Sequence, residues 1–224
     1  MTDLGIDIRT IIKANRFLCV EGPHDKLFVQ SVSNKLNRTE IESLGFQVIE
    51  AAKKEQKTVV SALATTGKPI MVLTDLDKDK AESIFQAFVG AISSKFSKSK
   101  YAIPNVQVIE TGSNVEIFFV GLPADGTLSS IGIDSFAMED YLLKLIDIDK
   151  DVKDWVGATL PELHKKSQSL RAEKNVRTSK TVLSTLGVMK DGLYLEDLIK
   201  TIIDKAHESS IRNVIGPLQS LFAT

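Results

Sequence analysis

One cysteine in 224 residues, Cys19, leaves this chain without any internal disulfide. It sits inside an apolar run, where a small core residue in a reducing compartment is the natural reading. No apolar run approaches the roughly 20 residues needed to cross a bilayer. The opening "MTDLGIDIRTIIKANR" lacks the basic, apolar, small-residue order of a signal peptide. A cytoplasmic protein with no membrane partner is therefore expected. Charge is also scarce in net terms: 28 basic residues against 29 acidic ones give −1 at pH 7. Polyanion binding must then rest on local patches rather than on bulk charge. The three histidines, His24, His164 and His207, are too scattered for a zinc site. "TTGKP" has Ala62 where a P-loop needs its first Gly, and the three tyrosines offer no clear nucleophile.

What is present is an ordinary globular composition, 43% hydrophobic and 25% charged, long enough to bury a real core. The first half alternates short apolar runs with helical patterns, the sign of βαβ units and a mainly parallel sheet. Strands are expected at Phe17 to Val20, from Phe46 ("FQVIE"), at Ile70 to Leu73, from Val106 ("VQVIE") and from Val115 ("VEIFFV"). Helices are expected after Asp25 through Leu36 and over Thr58 to Thr66, the latter ended by Gly67 and Pro69. Ile84, Phe85, Phe88, Val89, Ile92 and Phe96 make one apolar stripe of a further helix. "SSKFSKSKYAIP" reads as a polar surface loop. From about Ser135 the pattern turns helical: "FAMEDYLLKLI", stretches around 162–186 and 193–206, and a last one near Ile215 to Phe222. Two regions are expected, an α/β domain over 1–130 and a helical region over 131–224, divided in the Gly- and Ser-rich stretch between Pro123 and Asp134.

Two of the early apolar runs end in acid. Phe17 to Val20 leads to Glu21, and Ile70 to Leu73 leads through Thr74 to Asp75, Asp77 and Asp79. In a parallel sheet with helical crossovers all strand carboxyl ends lie on one edge, where such folds bind ligands. Converging carboxylates repel unless a cation sits between them, and hard divalent ions take such all-oxygen sites. A lone Asp after a strand is more often a turn or cap residue. An EF-hand loop is excluded, because its sixth position is Lys80 and its twelfth Gln86. Asp147, Asp149 and Asp151 follow a helix, with Lys150 and Lys153 interleaved, and read as a solvated surface.

"FLCVEGPHDKLF" followed by "IMVLTDLDKD" resembles the Toprim fold family, whose pattern is a strand ending in Glu-Gly and a later strand ending in Asp-x-Asp. The match falls on Glu21, Gly22, Asp25, Asp75 and Asp77, within roughly residues 15–125, with Lys80 where many Toprim proteins carry Gly. "FFVGLPADG" and "AMEDYLLKL" are similar to a family of small stand-alone Toprim-like proteins. The resemblance implies a Toprim-like α/β fold with Mg²⁺ or Mn²⁺ held by Asp75 and Asp77, and Asp79 as an extra ligand. It implies Glu21 as metal ligand or general acid/base. Gly22 would let the backbone turn sharply before Pro23 opens the helix. A topoisomerase or a primase would need domains this chain is too short to hold.

Basic residues cluster once: Lys165, Lys166, Arg171, Lys174, Arg177 and Lys180, offset only by Glu173. On a helix the spacing from 171 to 180 winds as a slanted stripe, which suits either a solvated face or a phosphate backbone. The resulting expectation is a metal-dependent phosphodiesterase acting on nucleic acid. The alternatives are a non-catalytic nucleic-acid-binding or scaffold module of the same fold, and nucleotidyl or small-phosphoester chemistry. A homo-oligomer is compatible with the sequence.

Overall fold

The structure is a computed structural model, and it describes residues 12–76, 81–92, 99–102, 108–111, 115–120, 137–146, 154, 158 and 178–222. The strands are β1 (Arg16–Val20), β2 (Phe46–Glu50), β3 (Ile70–Asp75), β4 (Ser99–Ala102), β5 (Val108–Thr111) and β6 (Val115–Val120). The helices are α1 (Pro23–Asn37), α2 (Lys53–Ala64), α3 (Ala81–Ile92), α4 (Met138–Leu145), α5 (Thr178–Asp191), α6 (Leu195–Lys205) and α7 (Glu208–Ile215). Two 3₁₀ segments, Ile41–Leu44 and Gly216–Phe222, complete the description.

The strands form one sheet in the order β2-β1-β3-β6-β5-β4. β2, β1, β3 and β6 run parallel, while at the far edge β5 pairs antiparallel with β6 and β4 antiparallel with β5. The expected mainly parallel α/β architecture is the one observed. β1 lies between β2, reached through α1, and β3, reached through α2. The chain therefore leaves β1 toward one side and comes back on the other, and the gap between the carboxyl ends of β1 and β3 is the topological switch point.

Side-chain alternation sorts the strands between two apolar layers. Leu18, Val20 and Leu73 join α1 and helices α4 to α7, with Phe28 stacked on Tyr141 at 6.0 Å between ring centroids. Phe17, Cys19, Ile70 and Val72 join α2 and Phe88 of α3 on the opposite face. Among the described residues no helix is long and apolar enough to cross a membrane.

Several expectations need adjusting. Residues 99–102, expected in a polar loop, form β4: an edge strand needs backbone pairing on one side only, so it carries little apolar signal. α2 starts at Lys53 rather than Thr58, because the polar "KKEQK" turn follows directly from β2. α7 was not anticipated, since only Ile211 and Ile215 of its eight residues are buried. Gly22 has φ −169°, an extended backbone any residue adopts, so its glycine is not required by a sharp turn. A side chain there would meet nothing within 4 Å, and open space is what the glycine leaves. Pro23 does open α1, as expected. The expected boundary near 123–134 and the acids at 147, 149 and 151 lie outside the described residues.

Candidate metal centre

The acids at the ends of β1 and β3 are brought together as the topology requires. One oxygen of Glu21, Oε1, accepts from the Thr74 hydroxyl at 2.9 Å and from the Asp75 backbone N–H at 2.8 Å. Asp75 is 3% exposed, and its Oδ1 accepts from the Met138 backbone N–H at 3.2 Å. Met138 opens α4, whose N-terminal N–H groups have no partner inside the helix, so a carboxylate beside them is favoured. The side chain of Glu21 thus ties β1 to β3, and that of Asp75 ties β3 to α4.

Two further acids, which the sequence reading did not single out, stand at this junction. Glu139 and Asp140 in the first turn of α4 are both buried. Asp140 Oδ2 accepts from the Ala137 N–H at 3.0 Å, closing the helix start. The available signal was two adjacent acids in a mainly apolar "FAMEDYLLKL", where a surface helix would have placed them outward.

The donors are carboxylates held at one edge by a rigid sheet, which fits a hard divalent cation by chemistry. Among the described residues, no group of three or more His, Cys, Asp or Glu lies close enough to hold a metal ion. Asp77 and Asp79, two of the three expected ligands, lie outside the described residues. Of the expected metal ligands, the structure locates Asp75.

The rim, where α1 starts, carries a hydrogen-bonded trio of one imidazole, one acid and one base. His24, in the first turn of α1, has Nε2 at 3.0 Å from Glu196 Oε1 of α6 and Nδ1 at 3.5 Å from Lys180 Nζ of α5. With Lys180 donating to Nδ1, Nε2 carries the ring proton and donates to Glu196. The Glu196 carboxyl is held below its usual range, first by a backbone N–H at the start of α6 and then by the His24 hydrogen bond. Lys180 is the only member of the expected basic stripe among the described residues, and it lies beside the helix that begins two residues after Glu21. Lys165, Lys166, Arg171, Lys174 and Arg177 lie outside them. Below the acids, burial first and the Glu21 charge second push the Cys19 thiol up to about 12. It is a core group, as expected.

Residues 14–77 match the family model described as "Overcoming lysogenization defect protein-like, TOPRIM domain". Among solved structures the chain is similar to the C-terminal region of the Burkholderia pseudomallei OLD protein, with 15% identity and a TM-score of 0.44 over 94% of this chain and 99% of that one. It is likewise similar to the C-terminal region of the Xanthomonas campestris pv. campestris OLD protein, with 12% identity and a TM-score of 0.43 over 95% and 96%. No curated protein sequence matches the chain. The matched stretch runs from just before β1 to just past β3 and holds Glu21 and Asp75, so the likeness to an overcoming-lysogenization-defect-like Toprim domain takes in both acids that meet at the switch point.

Proposed function

We propose that this protein is a divalent-metal-dependent phosphodiesterase acting on nucleic acid. The observation that carries this reading is the Glu21 carboxylate spanning the β1/β3 switch point, within hydrogen-bond reach of Thr74 and the Asp75 backbone. Asp75, with Asp77 and Asp79 from the loop that follows it, would hold Mg²⁺ or Mn²⁺, and buried Glu139 adds a carboxylate at the same junction. When bound, such a cation polarises the phosphoryl oxygen and lowers the pKa of water. Glu21 takes or returns the proton, which requires a carboxylate fixed in place, and its two hydrogen bonds fix it. Lys180 at the rim, with Lys165, Lys166, Arg171, Lys174 and Arg177, would contact backbone phosphates.

The test is cleavage of single-stranded, duplex and structured substrates with Mn²⁺, comparing wild type with Glu21→Gln. General acid/base catalysis typically contributes about 100-fold to 10,000-fold, and a rate loss of that size is expected. Cleavage at the wild-type rate in Glu21→Gln would remove this residue from the chemistry. Metal binding is tested separately: Mn²⁺ should raise the Tm of wild type and leave that of Asp75→Asn, Asp77→Asn unchanged.

A second reading is favoured by the same hydrogen bonds, since an acid that joins two strand ends also serves a module that only binds nucleic acid. In that case wild type cleaves none of the substrates, and neutralising Lys174 and Lys180 still weakens binding. It would also flatten the salt dependence by roughly one unit of slope per lost phosphate contact.

A further inference from the structure

Beyond Cys19 of β1 and Val72 of β3 the pairing between these strands stops. Odd-numbered residues of this part of the chain direct their backbone groups toward β1, as the Phe17 N–H donating to the Pro69 carbonyl at 2.9 Å shows. The next β1-facing groups in line are the Leu73 carbonyl and the Asp75 N–H, and both are met by side chains. Glu21 accepts from the Asp75 N–H. Gln56, from the first turn of α2, donates its Nε2 to the Leu73 carbonyl at 2.9 Å.

Gln56 is fully buried, among the apolar residues by which α2 packs on the sheet. Its Oε1 is buried without a hydrogen-bond partner, the only such side-chain atom found among the described residues. Turning the amide over does not help, because two oxygens would then face each other at Leu73. A buried carbonyl without a donor opposes folding, so an apolar side chain of similar size would suit a purely structural position as well. Strand alternation places Thr74 and Glu21 on this same α2 face, with Cys19 and Val72.

We infer that Gln56 is a positioning residue for the acidic edge: it holds the end of β3 so that Glu21 and Asp75 keep the spacing a cation needs. The inference rests on the proposed metal site. Residues that orient metal ligands from behind typically change metal affinity about 10-fold to 100-fold when replaced. Gln56→Met removes the hydrogen bond to Leu73 together with the orphaned Oε1, two effects of opposite sign on stability. The Tm is therefore expected within about 3 °C of wild type.

The experiment measures Mn²⁺ affinity by titration and hydrogen exchange of the Asp75 amide without metal. In Gln56→Met, Mn²⁺ should bind about 10-fold more weakly, and the Asp75 amide should lose protection relative to the other β3 amides. Wild-type affinity together with wild-type protection of Asp75 would overturn the inference and leave the metal reading standing. If wild type binds no Mn²⁺, the metal reading falls, and protection of the Asp75 amide alone decides whether Gln56 positions this edge. Gln56→Asn keeps the amide but shortens its reach by one methylene, and carries the same test if Gln56→Met does not fold.

Discussion

The two faces of the sheet are covered by helices of very different origin. On one face β1, β2 and β3 pack against α2 and α3, the helices that connect or directly follow them. On the other, Leu18, Val20 and Leu73 meet α1 and then residues from the far end of the chain, among them Tyr141, Ile203 and Phe222. The first face is closed by local crossovers, the second only when the C-terminal helices arrive. The acidic edge lies where the two meet: Glu21 and Thr74 belong to the local face, and Asp75 is held from the other by the start of α4. A site divided in this way depends on both layers, which a self-contained α/β unit with a loose helical appendage would not.

The largest expected effect tests that dependence directly. Phe28 is fully buried and stacks on Tyr141 across the distant face. Phe28→Ala should cost about 3–5 kcal/mol, by lost transfer energy and the cavity left behind. Denaturant unfolding, followed by probes in both parts of the chain, should show one transition at a lower midpoint. Two separate transitions would break the comparison, and would mean that 1–130 and 131–224 unfold as independent domains.

A smaller effect is expected within the helical layer. Gly187 lies inside α5, where Gly→Ala ordinarily stabilises a helix by about 1 kcal/mol. Here an added Cβ would stand 2.9 Å from the Leu193 carbonyl oxygen and 3.2 Å from Leu198 Cδ2. The first neighbour is backbone, so the turn into α6 must move. Gly187→Ala should therefore lower stability by about 1–3 kcal/mol. A raised Tm would show that α5 and α6 can separate without loss, and that this layer is looser than its packing implies.

The same division explains what could be read in the sequence. β1, β2 and β3 are short apolar runs buried in a parallel sheet, and their signal is local. Glu21 and Asp75 were legible because each ends such a run, and topology carries strand ends to one edge. Gln56 was not, since nothing around a single polar residue tells whether its side chain will meet water or a neighbouring element, and Glu139 left only the thin sign of an acid in a mainly apolar stretch. β4 was missed because "SKYA" gains its structure from pairing with β5 rather than from its own composition. α7 was missed because two buried isoleucines among polar residues make too thin a stripe to distinguish from a loop.

The smallest effect uses Cys19 as a reporter for the local face. Burial and the neighbouring Glu21 charge raise its pKa from 9.0 to about 12. A raised thiol pKa stabilises the folded state fully below about pH 9, and that contribution is lost as the pH rises from there toward about 12. At pH 8 the native thiol is almost entirely protonated, and the thiolate is the nucleophile, so alkylation should proceed only through opening. Leu63, buried in the same apolar cluster as Cys19, and Phe28 in the distant layer then give a matched pair. Leu63→Ala should speed labelling of Cys19 by more than its loss of global stability accounts for, because it loosens the layer that covers the thiol. Phe28→Ala should speed it only in proportion to global unfolding. Equal labelling in the two variants, once corrected for stability, would mean that the two faces open as a single unit and that the border along the acidic edge has no mechanical meaning.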